Sequence, residues 1–225
     1  MERSAKALLV YERLLGAYGE PEIKEQRDPL DELILTILSQ NTSDLNSGRA
    51  FQQLVERFPT WEQALAAGPD AIAAAITVGG LANVKAPRIH AILQKLAREQ
   101  GELSLALLAP MPVDQAREYL LALPGVGPKT AACVLLFSLH KPAMPVDTHV
   151  HRVAQRLGLV KQHDSAEESH ALLEALLPHH LYYSFHLNVI RHGRQVCAAR
   201  RPKCEVCPLA DICDDLAERN RRPTP

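Results

Sequence analysis

The chain predicts an all-α fold, and three observations carry that expectation. No stretch alternates apolar and polar residues with the period of two that a half-buried strand requires. Apolar residues recur instead at helical spacing along most of the 225 residues. Many of these segments open on a residue that caps a helix N-terminus or stop just before a glycine or proline. Roughly ten helices of ordinary length account for the chain, and no internal repeat is present.

Taken in order, Ser4–Tyr18 sets Leu8, Leu14, Leu15 and Tyr18 at helical spacing, an amphipathic helix ending near Gly19. Pro21–Asp28 is polar and reads as a linker. Leu30–Ser39 is almost continuously apolar after its first turn, so a buried helix delivers the polar run Gln40-Asn41-Thr42-Ser43-Asp44 to the surface. Ser43 or Asp44 then starts the helix through Phe51 to Phe58. Thr60 with Gln63 fits a capping box opening a short helix to Ala67, and Pro69–Ile76 reads as another. Val78–Asn83 is a glycine-hinged loop with one leucine, Leu81, before a helix over Val84–Gln100. Ala109–Val113 is a stiff proline connector. Ser165 with Glu168 forms a second capping box, opening a helix to Leu177, and a long helix from about His179 to Val196 ends at a group of cysteines.

The 47% hydrophobic content suffices for a real core and argues against a disordered chain. With 25 Lys and Arg against 26 Asp and Glu, the formal charge of −1 leaves no global basic field, so any nucleic-acid face must be local. No apolar run approaches the roughly 18 residues of a membrane span. The opening MERSAKALLVYERLL carries acidic residues in a helical pattern unlike a secretory signal. A cytoplasmic location follows, nucleoid-associated if the host is bacterial. Trp61 and the scattered tyrosines form no base-stacking platform.

The stretch Tyr119–Val153, YLLALPGVGPKTAACVLLFSLHKPAMPVDTHVHRV, is the most informative. Leu120, Leu121 and Leu123 end an apolar helix, Pro124 and Gly125 break it, and Gly127 with Pro128 starts another over Lys129–Leu139. Such a hairpin turns sharply and points unpaired N–H groups outward from the new helix start, where the dipole favours an anion. A phosphate fits, because Gly125 and Gly127 put no side chain in its way; this contact reads backbone, not base sequence. Lys129 sits in the first turn, where the dipole disfavours a cation, and an uncharged amine is a nucleophile. Its plainer role is a solvated phosphate contact. The helix spans roughly 16 Å, and the proline-containing leg His140–Val146 reaches up to roughly 23 Å, enough for Asp147 to return opposite Lys129. Asp147 also fits an N-cap for a helix over Thr148–Leu157; one carboxylate oxygen serves the cap and leaves the other.

Cys197, Cys204, Cys207 and Cys213 follow the spacing C-x6-C-x2-C-x5-C. In a reducing compartment this is a closed metal site, and the spacing alone permits structural zinc or a [4Fe-4S] cluster. Arg191, Arg194, Arg200, Arg201 and Lys203 bracket its first ligand with no acid among them, a basic patch suited to the phosphate backbone. The plainer account is a solvated basic stretch that offsets the charge of the metal site. Cys133 lies in the apolar run AACVLLF and reads as core. His149 and His151 flank the Asp147 helix start and either contact DNA or pack.

L-P-G-V-G-P-K-T-A followed by V-D-T-H-V-x-R-V resembles the helix-hairpin-helix (HhH-GPD) DNA glycosylase superfamily, most of all its endonuclease III branch. The likeness covers roughly residues 5 to 215. It implies two lobes: a six-helix barrel over 22–140 holding the helix-hairpin-helix at about 119–139, and an iron–sulfur lobe made of 1–21 plus 141–225, with DNA across the cleft. The cysteine spacing after H-G-R-x-x-C then implies a [4Fe-4S] cluster of structural role. The family's lysine and aspartate fall on Lys129, the nucleophile, and Asp147, which assists it. Gln40 matches the glutamine that enters the space of an extruded base, and Leu81, in G-L-x-N-x-K-A, the leucine wedged into the complementary strand. The implied activity is that of a monomeric, bifunctional glycosylase/AP lyase acting on double-stranded DNA with damaged bases or abasic sites, removing oxidised pyrimidines. Three departures stand out: Q-N-T-S-D is nearer some mismatch-specific relatives, Pro128 replaces a commonly basic residue, and Leu121 a commonly acidic one. A mismatch- or uracil-directed glycosylase is thus the alternative within the superfamily. Outside it stand a non-catalytic helix-hairpin-helix DNA-binding iron–sulfur protein and a redox-sensing one.

Overall fold

The computed structural model describes residues 1–23 and 26–221. Lys24 and Glu25, within the expected linker, and residues 222–225 lie outside the described residues. Among the described residues there is no strand, and eleven α-helices form. The chain divides into two compact units, Met1–Glu25 with Pro142–Pro225, and Gln26–Lys141.

The Gln26–Lys141 unit is built around α2 (Pro29–Leu38). Pro29 stands at its first position, and Asp28 Oδ1 accepts a hydrogen bond from the Leu30 amide at 2.8 Å, which fixes where this helix begins. Leu30, Leu33, Ile34, Ile37 and Leu38 are fully buried, so α2 is apolar nearly all round and sits in the middle of its unit. It packs against α3 (Asp44–Arg57), α5 (Ala82–Gln100) and α7 (Pro128–Cys133). Ser43 caps α3 through the Asn46 amide, as its sequence suggests. The short helices expected on either side of Gly68 join as α4 (Trp61–Ala75), with Gly68 at φ 81° marking the break. Thr60 accepts from the Gln63 amide at 3.4 Å. α6 (Val113–Leu121) leads into the hairpin. The helix expected over Lys129–Leu139 is α7 followed by a π-helical turn, Val134–Ser138, whose wider winding ends in Leu139 N–H bonding Val134 O at 3.1 Å.

In the other unit, α1 (Arg3–Tyr18) ends at Gly19 and packs against α9 (Ala166–Leu176) and α10 (Tyr182–Gln195). The capping box of Ser165 and Glu168 forms with both of its bonds. The helix expected from His179 starts instead with a 3₁₀ turn, His179–Leu181, before α10. α8 (Thr148–Arg156) packs against α10 and α9, and α11 (Asp214–Arg221), which the sequence reading did not anticipate, packs on α8. α11 is short and polar, so periodicity gives it no signal. Its place comes from the last cysteine, just before it, and from Gly158, where an added Cβ would lie 1.9 Å from Asp214 Oδ2.

Candidate active site and metal centre

The hairpin between α6 and α7 is closed by backbone bonds from Leu123 N–H to Leu120 O at 3.1 Å and from Val126 N–H to Leu123 O at 3.2 Å. Gly125 takes φ 71°, which strains any other residue, and a side chain there would also have to push the Arg88 side chain aside. Gly127 is different: φ −100° is ordinary, and a Cβ there would meet nothing within 4 Å. No side chain caps the start of α7, and Pro128 occupies its first position. Lys129 follows, half-buried, and forms no ion pair among the described residues.

Asp147 belongs to the other unit and is reached through a clamped leg. Ala143–Val146 is buried. Met144 N–H donates to Glu174 Oε1 at 2.8 Å, while Met144 O and Pro145 O bond His170 Nδ1 at 2.7 Å and His186 Nδ1 at 2.8 Å. The leg therefore enters α8 in one register, and Asp147 caps it through Oδ1, which accepts from the His149 and Val150 amides at 2.9 and 2.8 Å. Both recorded bonds use one oxygen, leaving Oδ2 for other work. His149 bonds Arg152, and His151 Nε2 the Asp164 carbonyl, so both histidines are engaged within the protein.

Gln40 leaves the end of α2 with its amide held at both ends. Oε1 accepts from Arg88 Nη1 at 3.0 Å, and Nε2 stands 3.5 Å from Oγ1 of Thr130, the residue after Lys129. Arg88 is a donor only, which assigns the amide orientation. Leu81 is 52% exposed, with a left-handed backbone at φ 53°, and its carbonyl accepts from the Val84 and Lys85 amides at the start of α5. The left-handed backbone at Leu81 is a sparsely populated conformation for a residue with a side chain, held here by the first turn of α5. Sequence reasoning missed Arg88 and Lys85, because nothing in G-L-A-N-V-K-A-P-R shows that they reach residues far away in the chain.

The four cysteines line one pocket with Arg156, Val196, Pro202, Leu216 and Arg219. None of the four forms a disulfide. Four thiol side chains lining one pocket are the donor set that a [4Fe-4S] cluster takes, one thiolate to each iron. The setting suits a charged inorganic centre. Burial pushes the Cys207 and Cys213 thiols up in the absence of metal, and nearby cations offset thiolate charge: Arg156 Nη1 lies 3.2 Å from Cys197 Sγ, and Arg219 Nη2 lies 3.4 Å from Cys204 Sγ. Burial lowers the His192 imidazole to about 4. It is therefore neutral at pH 7, with Nδ1 3.0 Å from Tyr18 Oη and Nε2 3.6 Å from Cys207 Sγ.

The loop is stapled from two sides. Arg152 Nη2 donates to Gly193 O at 2.8 Å and its Nε to Cys197 O at 3.1 Å, while Arg156 donates to Ala198 O and Ala199 O. From α1, Lys6 pairs with Asp214 at 2.6 Å and Arg13 with Asp211 through a 2.9 Å bond. Arg152 and Arg156 were missed too, although their i, i+4 spacing in V-H-R-V-A-Q-R already puts them on one helix face. Of the basic patch, Arg200, Arg201 and Lys203 are exposed, as is Arg194. Arg191 is committed to α1, donating to Tyr18 O at 3.0 Å with its guanidinium 4.9 Å from the Tyr18 ring centre. Cys133 is buried among α7 core residues.

The chain is similar to known proteins over most of its length. Residues 34–179 match the model of the HhH-GPD superfamily of base excision DNA repair proteins. Residues 197–213, first to last of the four cysteines, match the iron–sulfur binding domain of endonuclease III. Endonuclease III of Thermotoga maritima is 36% identical over 201 residues, covering 89% of this chain and 90% of that one. Endonuclease III of Synechocystis sp. is 35% identical over 215 residues, 94% and 92% of the two chains. A trapped endonuclease III–DNA covalent intermediate superposes with TM-score 0.84 at 28% identity, over 98% of this chain and all of that one.

Proposed function

The chain belongs to the HhH-GPD superfamily of base excision DNA repair proteins and is an endonuclease III-like DNA glycosylase/AP lyase with a [4Fe-4S] cluster; we propose that Cys197, Cys204, Cys207 and Cys213 hold the cluster, that Lys129 and Asp147 carry out the chemistry, and that the substrates are oxidised or ring-saturated pyrimidines in duplex DNA. The observation that carries this reading is Lys129 itself: a lysine without an ion pair among the described residues, in the first turn of a helix with no side-chain cap, directly after a hairpin whose second glycine has open space where a side chain would stand.

A glycosidic carbon is shielded inside the base stack, so the nucleotide must swing out first. Gln40 and Leu81 serve that step by filling the vacated space and wedging the opposite strand. The hairpin amides about Gly125 and Gly127 hold phosphate, and Arg194, Arg200, Arg201 and Lys203 add local positive charge. Lys129 Nζ attacks the sugar C1′; the C–N bond to the base breaks, and the base departs with the bonding pair. Asp147 Oδ2 takes the proton released by the amine or faces the positive charge on the sugar. The adduct then opens at the C1′–O4′ bond, O4′ taking up a proton, and becomes a Schiff base; this makes the C2′ hydrogen acidic, and its loss to a base expels the 3′ phosphate by β-elimination. Cys197, Cys204, Cys207 and Cys213 would hold the cluster through four thiolates, and its part there would be to fix the loop that carries them. Acting on DNA as a monomer, the enzyme works in the cytoplasm, with the nucleoid in a bacterial host.

The test is base release and borohydride trapping on duplexes carrying thymine glycol, uracil or a G·T mismatch. Thymine glycol is the expected substrate, with trapping abolished in Lys129→Gln. A trappable adduct in that variant refutes the nucleophile. Preference for the G·T duplex moves the enzyme to the mismatch-directed reading that Q-N-T-S-D allows.

A further inference from the structure

Lys85 is 2% exposed, a long cation buried at the start of α5, and burial pushes its amine below the ordinary lysine range. Such a group persists only where its donors are satisfied. Its Nζ donates to Leu38 O at 2.7 Å and to Gly79 O at 2.9 Å. Leu38 O belongs to the last residue of α2, one of the helix-end carbonyls without an intrahelical partner and the negative end of the helix dipole. Gly79 O closes the 3₁₀ turn Thr77–Gly79. Gln40 lies two residues beyond the first carbonyl and Leu81 two beyond the second. One ammonium thus ties together the roots of both segments. One turn further along α5, Arg88 holds the side chain of Gln40 itself and lies over Gly125 of the hairpin.

We propose that Lys85 and Arg88 are positioning residues, a clamp on one face of α5 that sets Gln40 and Leu81 at fixed spacing before DNA arrives. The inference rests on the reading of Gln40 and Leu81 as the residues that enter the duplex. Penetrating a base stack with two short side chains demands that both arrive together; loose roots would let each be pushed aside, and misplacement by about 1 Å can lower a rate by about a hundredfold. The three donors of a lysine and the rigid fork of an arginine suit different tasks, two carbonyls at an angle in one case and a planar amide in the other.

The experiment compares Lys85→Met, Arg88→Ala, Arg88→Lys, Gln40→Ala, Leu81→Ala and the Arg88→Ala/Gln40→Ala double variant, all with full helical circular dichroism and cluster absorbance retained, so that both units are shown to be folded. For each, the single-turnover trapping rate on an abasic site in duplex DNA is divided by that on the same site in single-stranded DNA, where no stack has to be opened. A fall in this ratio of about tenfold or more is expected for Lys85→Met and Arg88→Ala, with the double variant no worse than Gln40→Ala because Arg88 acts through Gln40. If Gln40→Ala lowers the ratio while Arg88→Ala and Lys85→Met keep it, the clamp is refuted and the wedge reading stands. If Gln40→Ala and Leu81→Ala both keep it, the wedge reading fails and the clamp with it. Should Lys85→Met not fold, Arg88→Ala and the double variant decide alone.

Discussion

At the scale of single residues, the two hairpin glycines look alike in sequence and differ in what constrains them. Gly125 is held by its positive φ and by Arg88 packed against it. Gly125→Ala should lower stability by about 1–2 kcal/mol from the left-handed backbone alone, with more from displacing Arg88, read as a shift in thermal or denaturant midpoint. Gly127 has an ordinary backbone and open space beside it. Gly127→Ala should leave the midpoint nearly unchanged and weaken DNA binding, measured by fluorescence anisotropy on a duplex. If the stability loss falls on Gly127→Ala and the binding loss does not, the bare position is not a phosphate seat. Lys129 belongs to this scale as well: its proposed role needs only one amine in the first turn of α7, and its replacement by glutamine removes that amine while keeping length and polarity.

At the scale of an element, α8 does three things from nine residues. Its N-cap is the candidate catalytic carboxylate, its body packs on α9 and α10, and Arg152 and Arg156 reach from one face to the loop that carries the cysteines. Cap and catalysis can be separated by chemistry. Asn caps a helix about as well as Asp, so Asp147→Asn should keep stability within a few tenths of a kcal/mol, whereas Asp147→Ala should lose about 0.5–2 kcal/mol. Both should lose turnover. Equal stability of the two variants would mean that the recorded cap bonds contribute nothing; undiminished turnover in Asp147→Asn would remove the carboxylate from the mechanism. Arg156 bonds Cys197 Sγ and two loop carbonyls, so Arg156→Ala should speed loss of the cluster's visible absorbance in the presence of an iron chelator. Unchanged bleaching would show that the loop holds its shape without α8.

At the scale of the whole molecule, a chain with a formal charge of −1 binds a polyanion through local charge alone. Arg200→Ala, Arg201→Ala and Lys203→Ala should each reduce the slope of log affinity against log salt by about 1, measured by anisotropy across a salt series. A slope that stays put for all three makes that loop a solvated surface and shifts the phosphate contacts elsewhere.

What the amino-acid order determined by itself is local: helices from periodicity and caps, a break from two glycines and a proline, a closed metal site from four thiols within seventeen residues. These features are legible because the groups involved are neighbours along the chain, where 3.6-residue winding and short loops leave few alternatives. Even here the π-helical turn after Cys133 and the polar helix α11 escaped, since neither has a periodic signature. What tertiary structure alone decided is how distant segments are joined. Lys85 meets two carbonyls, one of them forty-seven positions away, Arg88 meets Gln40 forty-eight away, and α1 meets the cluster loop about two hundred away. A buried donor must find an acceptor, and only the packed core determines which one comes within 3 Å.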